Sequence, residues 1–339
     1  MRRLAATLLK LVLVALLLTF LAKKGLLSVG DLRKILHYPL GVGLALAATG
    51  INLMLCIWRW QILLRAQGVD LGWTAAARLT LIGNFFNLAL PGAVSGDLVK
   101  AFYIAREHPG KRGHVFGSIL FDRVVGVSGL VMVASAALVF GFSLALGPQP
   151  ETNPFVRVQP FVVFSFLSMV GFYLCLFLVP ESRDPFLWLL RRLQERIPAV
   201  GSVTRIYEGV RNYHPHRKMV GLSLAISCVV HFLAASACLI FFQVLDGPIA
   251  HGGQAGTWAI YVAVPLGLLV TAVPIAPAGV GTGHAAFSWL FLLMGSHAGA
   301  NVFSLHVLFQ LIFGALGGLV YLRHRSSSLG GPSTDLATP

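Results

Sequence analysis

The sequence predicts an all-α polytopic membrane protein with about six to eight transmembrane helices and two re-entrant hairpins broken by proline and glycine. Of its 339 residues, 56% are hydrophobic and 11% are charged, and the mean hydropathy of +0.79 lies far above that of a soluble globular domain. Two apolar regions, 75–107 and 257–295, are interrupted by prolines and glycines and supply the hairpins. The uninterrupted apolar runs long enough to span a bilayer are 4–22, 38–58, 124–146, 160–179, 219–245 and 301–322.

The first apolar run has the features of a retained signal anchor. Basic residues precede it, and Lys23 and Lys24 follow it without a small-x-small cleavage site before them. We therefore expect a single transmembrane domain over 1–325, in which 1–37 holds the anchor helix and a loop. The polar tail at 326–339 is expected to be disordered.

The positive charge of the chain indicates a membrane partner. The formal net charge is +14, but the basic residues lie in short loops between apolar runs, where they set topology and contact anionic lipid, so no nucleic-acid partner is expected. The segment 181–218 is rich in arginine, which predicts a cytoplasmic linker. Within it, apolar residues from Phe186 to Ile197 recur at helical spacing and predict an amphipathic helix on the membrane surface.

The two interrupted regions are expected to enter the membrane from opposite sides. Basic residues flank 75–107 at both ends, which places both ends in the cytoplasm and predicts a hairpin that turns near Pro91. By the same count of membrane crossings, both ends of 257–295 are expected outside. One conflict remains in this topology, because it places the basic loop 23–37 outside as well.

The interrupted regions also resemble each other. The motif that begins at Pro91 is similar to the one that begins at Pro277, and each follows a long apolar run. We therefore expect an inverted repeat, with one copy at 38–179 and the other at 219–325 on either side of the cytoplasmic linker. In such repeats the broken helices meet near the midplane and form a substrate cavity.

Irregular backbone at membrane depth must be buried in protein or line a wet cavity. Ser95 and Thr282 are placed as N-caps of helices that restart at about Gly96 and Gly283. Free N–H groups and the helix dipole at these starts predict an anion site. A phosphate headgroup is the expected anion, and Lys100, one turn into the helix, would add a cation.

Four further charged residues each allow two interpretations. Asp97 either binds a cationic group or caps the start of its helix. Asp122 and Arg123 either form an ion pair that anchors a span or contact a headgroup. Arg59, which lies between two tryptophans, either snorkels at an aromatic interface or guides a lipid phosphate.

Together these arguments define one set of candidate substrate-binding residues. The set is Arg59, Asn84, Asn87, Gly92, Ser95, Gly96, Asp97, Lys100, Asp122, Arg123, Gly279, Gly281, Thr282, Gly283 and His284. No catalytic residue, cofactor or metal is predicted, because the histidines match no metal-ligand spacing and the cysteines lie in apolar runs without a CxxC pair.

Four motifs follow one another along the chain: Arg59-Trp60 with Leu63-Leu64, then "GNFFNLALPGAVSGDLVKA", "FDRVVG" and "PIAPAGVGTGH". In this order they resemble the transmembrane region of lysylphosphatidylglycerol synthases, a family also called flippase-like integral membrane proteins. The similarity runs over about 40–322. Three residues depart from the family pattern, namely Ser95 in place of Gly, Lys100 in place of Arg, and His284 in place of Glu.

The resemblance implies a multi-pass protein of the bacterial or archaeal cell (inner) membrane that moves aminoacylated or glycosylated lipids between leaflets. We expect the soluble aminoacyl-transfer domain of the full-length synthases to be absent, and with it the synthesis of lysyl-lipid. The leading hypothesis is a lipid flippase whose partners are anionic or aminoacylated phospholipids. The alternatives are a membrane-embedded transferase that acts on a phospholipid or polyprenyl phosphate, with Asp97 as general base, and a scaffold for a separate lipid-modifying enzyme. A homo-oligomer is also compatible with the sequence.

Overall fold

A computed structural model describes residues 29–89, 95–144, 155–197, 200–246, 257–273 and 279–328. Within these residues the chain is helical and contains no β-strand. The predicted spanning run 4–22 lies outside them, and so do Pro91, Gly92 and Pro277. The last helix continues to Ser328, a little way into the predicted polar tail.

The described residues form twelve α-helices, joined in three places by short 3-10 turns. Those that precede the linker at 181–218 are α1 (Val29–Leu36), α2 (Pro39–Ala66), α3 (Trp73–Ala89), α4 (Ser95–Glu107), α5 (Arg112–Leu144) and α6 (Gln159–Leu178). The linker contains α7 (Pro185–Gln194) and α8 (Val200–Arg211). They are followed by α9 (Arg217–Asp246), α10 (Ile260–Thr271), α11 (Thr282–Leu293) and α12 (Gly299–Ser328).

Five helices, α2, α5, α6, α9 and α12, are long and apolar enough to cross a membrane. They confirm a polytopic membrane protein, and each coincides with a predicted run. However, α2 continues beyond residue 58 to Ala66, and α5 begins at Arg112 and not near residue 124. The predicted runs stopped short because Arg59 and Asp122 are costly inside a membrane. In the structure these two side chains pair with each other, so both helices pass through them.

The first interrupted region forms a helix hairpin from α3 and α4. These helices have 17 and 13 residues, or about 25 and 20 Å, which is less than the roughly 30 Å of the hydrocarbon core. The Ser95 hydroxyl donates to the Phe86 carbonyl, and Lys100 lies against Gly83. Later residues of α4 therefore contact earlier residues of α3, so the two arms run antiparallel.

The second interrupted region has the same geometry in α10 and α11, which have 12 residues each. Gly279 lies against the Thr271 side chain, and Phe287 lies against Gly267. The arms again run back along each other. Both predicted hairpins are therefore present, whereas their entry and exit at one face of a membrane stays a prediction.

Each hairpin packs on the long helix that follows the other hairpin. α3 packs on α12, and α10 packs on α5, while α2 packs on its counterpart α9. At Gly317 an added Cβ would collide with the Leu81 carbonyl, and at Gly318 it would press on the Phe85 ring, so α3 and α12 need glycine for their close approach. Exchanging the two predicted repeats leaves this set of helix contacts unchanged, while their inverted orientation in a membrane stays a prediction.

The described arms of each hairpin pack far more on α5 and α12 than on the arms of the other hairpin. The expected direct meeting of the broken helices is therefore absent from these arms. The long helices lie between them because they provide the apolar surface that each short arm needs. The hairpin tips, at 90–94 and 274–278, lie outside the described residues.

The linker helices are held to each other by a buried aspartate. Asp184, which is 2% exposed, accepts hydrogen bonds from the backbone N–H groups of Phe186 and Leu187 at the start of α7. Its other oxygen accepts from the Tyr207 hydroxyl at 2.8 Å and lies 3.3 Å from the Nε atom of Arg211. Burial and the bond to Asp184 raise the pKa of Tyr207 above the ordinary tyrosine value, so the hydroxyl remains a donor.

The linker also caps the end of α6. Arg211 donates to the carbonyls of Cys175, Leu176 and Val179, and the His214 ring contacts the Leu176 carbonyl. The last carbonyls of a helix have few partners of their own, although the Cys175 carbonyl also accepts from the Val179 N–H. A cation at a helix C-terminus is also favoured by the helix dipole. The linker is therefore docked on the bundle.

The predicted amphipathic helix is present as α7. Its inner face buries Leu187 and Leu190, while Phe186, Trp188 and Leu189 on the outer face are exposed. The contact of this outer face with a membrane surface stays a prediction.

Candidate functional site

Three long helices meet at Arg59. Its guanidinium on α2 donates from Nε to Asp122 Oδ1 at 2.8 Å and from a terminal nitrogen to Oδ2 at 3.0 Å, and the other terminal nitrogen donates to the Ser227 hydroxyl at 3.0 Å. Asp122 lies on α5 and Ser227 on α9. The predicted snorkelling of Arg59 at an interface is therefore wrong, because the side chain is 8% exposed and its charge is matched inside the bundle.

A second ion cluster joins the first hairpin to α5. Asp97, near the start of α4, pairs with Lys100 at 3.0 Å on the same helix and with Arg123 at 2.5 Å on α5. The Lys100 ammonium also lies 4.7 Å from the centre of the Trp60 ring, next to Arg59 on α2. Asp97 was predicted either to cap its helix or to bind a free cationic group. In the structure it instead pairs with two cations of the chain.

The expected ion pair between Asp122 and Arg123 is wrong. Neighbouring positions on a helix point about 100° apart, and here the first pairs with Arg59 and the second with Asp97. The two residues therefore connect α5 in two directions, towards α2 and towards the first hairpin.

The two clusters adjoin at the neighbouring residues Asp122 and Arg123 of α5, and together they form an ion network of five charged side chains among the described residues. Three are basic and two are acidic, so the formal surplus is one positive charge. The side chains of Arg59, Asp97, Lys100 and Asp122 are between 8% and 16% exposed, whereas that of Arg123 is 33% exposed. Arg123 is therefore the most exposed member of the network.

Hydrogen bonds with the first arm of the hairpin hold the start of α4. The Gly96 N–H donates to the Asn87 side-chain oxygen at 2.8 Å, and the Ser95 hydroxyl donates to a carbonyl of α3. Ser95 is the first helical residue and not the predicted N-cap, and Asn87 supplies an acceptor for the Gly96 N–H. Glycine is needed at position 96, where a Cβ would collide with the Gly83 carbonyl. Asn84 lies half-buried one turn before Asn87.

The second hairpin begins α11 in a different way. Gly281, at φ +97°, precedes the helix, and its N–H donates to His284 Nδ1 at 3.2 Å. The other ring nitrogen of His284 lies 3.0 Å from the Ser304 hydroxyl on α12. Thr282 is the first helical residue and not the predicted cap, and its hydroxyl donates to the Gly279 carbonyl. His284 accepts at Nδ1, so it is a neutral ring that locks the start of this helix.

Two separate environments thus contain the predicted residues. Most of the first-half residues are joined by the ion network and the adjoining helix start. The second-half residues lie among apolar side chains, and Gly283 approaches the Phe303 ring so closely that a Cβ would collide with it. Among the described residues the ionic chemistry is concentrated on the first hairpin, which the symmetric motifs did not predict. Gly92 lies outside the described residues.

A cavity of about 410 Å³ opens beside the network. Its walls are α5 from Arg123 to Val131 and α6 from Ser165 to Phe172, and Leu269 of α10 closes it on the side of the second hairpin. Apart from Arg123 and three serines, these side chains are apolar. The cavity therefore combines one charged end with an apolar body.

Sequence reasoning missed three residues of the site. Trp60 was assigned to an aromatic belt, but its ring is 1% exposed and contacts Lys100. Ser227 and Ser304 were not singled out, although each lies within an apolar run, where a polar side chain needs a partner. Potential metal ligands do not gather in groups of three or more in the described part of the chain.

Comparison with known proteins gives one match. The family model described as the lysylphosphatidylglycerol synthase TM region matches residues 7–318. No curated protein and no solved structure matches the chain. The matched residues include both hairpins, the ion network, four of the five described spanning helices in full and α12 as far as residue 318. The chain therefore belongs to the lysylphosphatidylglycerol synthase transmembrane-region family.

Proposed function

We propose that this protein is a lipid translocase, which moves an anionic or aminoacylated phospholipid between the leaflets of a prokaryotic cell membrane. Family membership and five apolar helices indicate a membrane protein that acts on lipids. A path for a charged headgroup through the apolar bundle would serve translocation. It lets the headgroup cross without full exposure to hydrocarbon, where an isolated charge is costly.

The observation that carries this proposal is the surplus positive charge of the ion network. Asp122 and Asp97 lie well inside the bundle, and Asp122 is ten residues, or about 15 Å, from the start of α5 at Arg112. In the described part of the chain this network contains three basic and two acidic side chains, and such a balance favours an anionic group nearby over a cationic one.

The packing of the helices suggests how the path could open on alternate sides. Each hairpin rests on the long helix that follows the other hairpin. Because each hairpin contacts the opposite repeat, a rocking motion of one repeat against the other would shift each hairpin relative to the rest of its own repeat. This shift would expose the network first to one leaflet and then to the other. The bidentate bond from Arg59 to Asp122 lies within the first repeat and would move as a unit.

The transferase alternative would need Asp97 as a general base. Both oxygens of Asp97 already face cations, Lys100 on one side and Arg123 on the other. A substrate proton would have to compete with these two partners, so the translocase has the better support.

The deciding experiment is reconstitution into liposomes. Phosphatidylglycerol, lysyl-phosphatidylglycerol and phosphatidylcholine, each with a fluorescent headgroup-proximal label, are followed by quenching of the outer leaflet with dithionite. We expect faster exchange of a charged lipid than in protein-free vesicles, with unchanged lipid mass. Exchange at the protein-free rate for all three lipids would contradict the proposal, and a new lipid species by mass spectrometry would favour the transferase.

A further inference from the structure

We propose that movement of the two predicted repeats against each other is coupled to proton binding at His231. This inference rests on the proposed translocation, which it deepens by naming the ion whose gradient would drive it. It is carried by one hydrogen bond, which joins a titratable ring of the second repeat to the backbone of the first repeat beside the guanidinium of Arg59.

The hydrogen bond fixes the form of the ring. His231 lies on α9, and its Nε2 atom is 2.9 Å from the Gly126 carbonyl of α5. A carbonyl oxygen only accepts, so Nε2 carries the hydrogen and Nδ1 holds the lone pair of a neutral ring. Within the described part of the chain, Nδ1 makes no hydrogen bond. Nδ1 is therefore the atom that would take up a proton.

Positive charge lies closer to this ring than any unpaired negative charge. Gly126 lies against Arg59, since an added Cβ there would be 3.7 Å from both terminal guanidinium nitrogens. The helices α2, α5, α10 and α12 pack on α9 and contain a single carboxylate, Asp122, which Arg59 already holds through two hydrogen bonds. A proton on His231 would add a positive charge beside Arg59 without a carboxylate of its own. This cost keeps the ring neutral in the present arrangement.

The other titratable groups that reach α9 from its neighbours supply no negative partner. They are His306 of α12, which is close enough to His231 to interact with it electrostatically, Tyr261 of α10, which stacks on Phe232, and Lys34 of α1, which donates to the Leu245 carbonyl at the far end of α9. His306 Nε2 lies 2.8 Å from the amide nitrogen of Gln310, an exposed residue of α12. These polar contacts give a proton a route between the surface of α12 and the neighbourhood of His231.

The bond from His231 crosses the boundary between the repeats. α9 belongs to the second predicted repeat, whereas α2 and α5 belong to the first. Ser227, one turn earlier, crosses the same boundary, because its hydroxyl accepts from Arg59 and donates to the Val125 carbonyl. A serine thus makes the same kind of contact, so the packing of α9 on α5 does not by itself require a titratable ring.

Movement of the repeats would change the affinity of the ring for a proton. It would break the bond from His231 to Gly126 and carry the ring away from Arg59, while the pair of Arg59 and Asp122 moves as a unit within the first repeat. Away from the guanidinium the ring can accept a proton at Nδ1. Proton binding and the moved arrangement therefore favour each other, as linkage requires. Intramembrane histidines are suited to such a role.

The test imposes a pH gradient on proteoliposomes that contain the full chain. The three labelled lipids of the leaflet-exchange assay are used, valinomycin with equal potassium clamps the membrane potential, and protein-free vesicles serve as the blank. One pH unit should shift the steady-state leaflet ratio of the transported lipid about threefold to tenfold, since tenfold is the limit for one proton per lipid. Reversing the gradient should reverse the shift. An unchanged leaflet ratio in a protein that exchanges lipid would overturn the inference.

Variants assign the response to one ring. His231→Gln keeps a side-chain N–H donor for the Gly126 carbonyl but cannot take up a proton, and His231→Asn is a second uncharged replacement in case the first does not fold. His297→Gln is the matched control, because His297 is exposed and lies between α11 and α12. The shift should vanish in the His231 variants and persist in His297→Gln. A full shift in a folded His231 variant would refute the assignment.

A pH dye trapped inside the vesicles, pyranine, separates this inference from the proposed function. Proton movement that depends on His231, in a protein that exchanges no lipid, would uphold the proton site and contradict translocation. Lipid exchange without proton movement and without a response to the gradient would uphold translocation and contradict the proton site. The absence of both activities would contradict both proposals.

Discussion

Arg59 on α2 holds Asp122 on α5 through two parallel hydrogen bonds of 2.8 and 3.0 Å. The same guanidinium reaches Ser227 on α9, whose hydroxyl in turn donates to the Val125 carbonyl. One side chain thus contacts three of the spanning helices. It does so next to the cluster of Asp97, Lys100 and Arg123 at the first hairpin, so the packing of the bundle and the placement of the candidate site depend on the same residue.

Removing one partner of this pair should be much more harmful than removing both. Arg59→Met leaves a buried carboxylate and Asp122→Leu leaves a buried guanidinium, and breaking a buried pair costs about 3–5 kcal/mol. The double variant removes both charges and should recover most of the loss. Apparent melting temperatures in detergent, read by size-exclusion chromatography after heating, would show this as a positive coupling. Additive losses would mean that the pair is not a unit.

The contact between Gly83 and Gly96 should be required for the first hairpin. An alanine at position 96 would place its Cβ against the Gly83 carbonyl, so the arms must separate, at a cost of about 1–3 kcal/mol. Gly43→Ala on α2 is the matched control, because a Cβ there meets no atom within 4 Å. Gly96→Ala should lower the melting temperature and Gly43→Ala should not. Equal melting temperatures for both variants would show that the arms do not close as described.

Asp184 should contribute far more to stability than an exposed aspartate. Asp184→Ala removes the α7 cap and leaves Arg211 buried, so a loss of about 3–5 kcal/mol is expected. Asp70→Ala breaks the ion pair with Arg65, in which the Asp70 side chain is 82% exposed, and surface pairs contribute about 0–1 kcal/mol. The comparison is made by thermal unfolding in detergent. A small effect of Asp184→Ala would mean that the linker is not held by this residue.

Much of the fold could be predicted from the sequence because hydropathy is a strong signal over 20 or more residues. Five predicted runs coincide with spanning helices, and both interrupted regions are helix hairpins. The helix ends were less predictable. A run was expected to stop at Arg59 or Asp122 because each charge looks costly alone, and a sequence does not show that two distant charges meet.

The candidate site was predictable in its members but not in its pairings. Clustering identified Asp97, Lys100 and Arg123, whereas their contacts depend on how α4 packs on α5. Similar motifs suggested two equivalent hairpins. In the second hairpin, however, His284 is a neutral side chain whose hydrogen bonds hold the start of α11. A motif shows where the backbone turns, whereas the charge of the site depends on side chains that other helices contribute.

The central claim is that the surplus positive charge of the ion network holds the headgroup of the transported lipid, and a count of charges tests it most directly. Lys100→Gln removes the surplus, whereas Asp97→Asn with Lys100→Gln restores it while changing the same contacts further. The measurement is the rate of phosphatidylglycerol exchange between leaflets in proteoliposomes with each variant. We expect the single variant to be about fivefold slower than the unmodified protein and the double variant to recover most of the rate. A double variant as slow as or slower than Lys100→Gln, or a single variant with the full rate, would contradict the account.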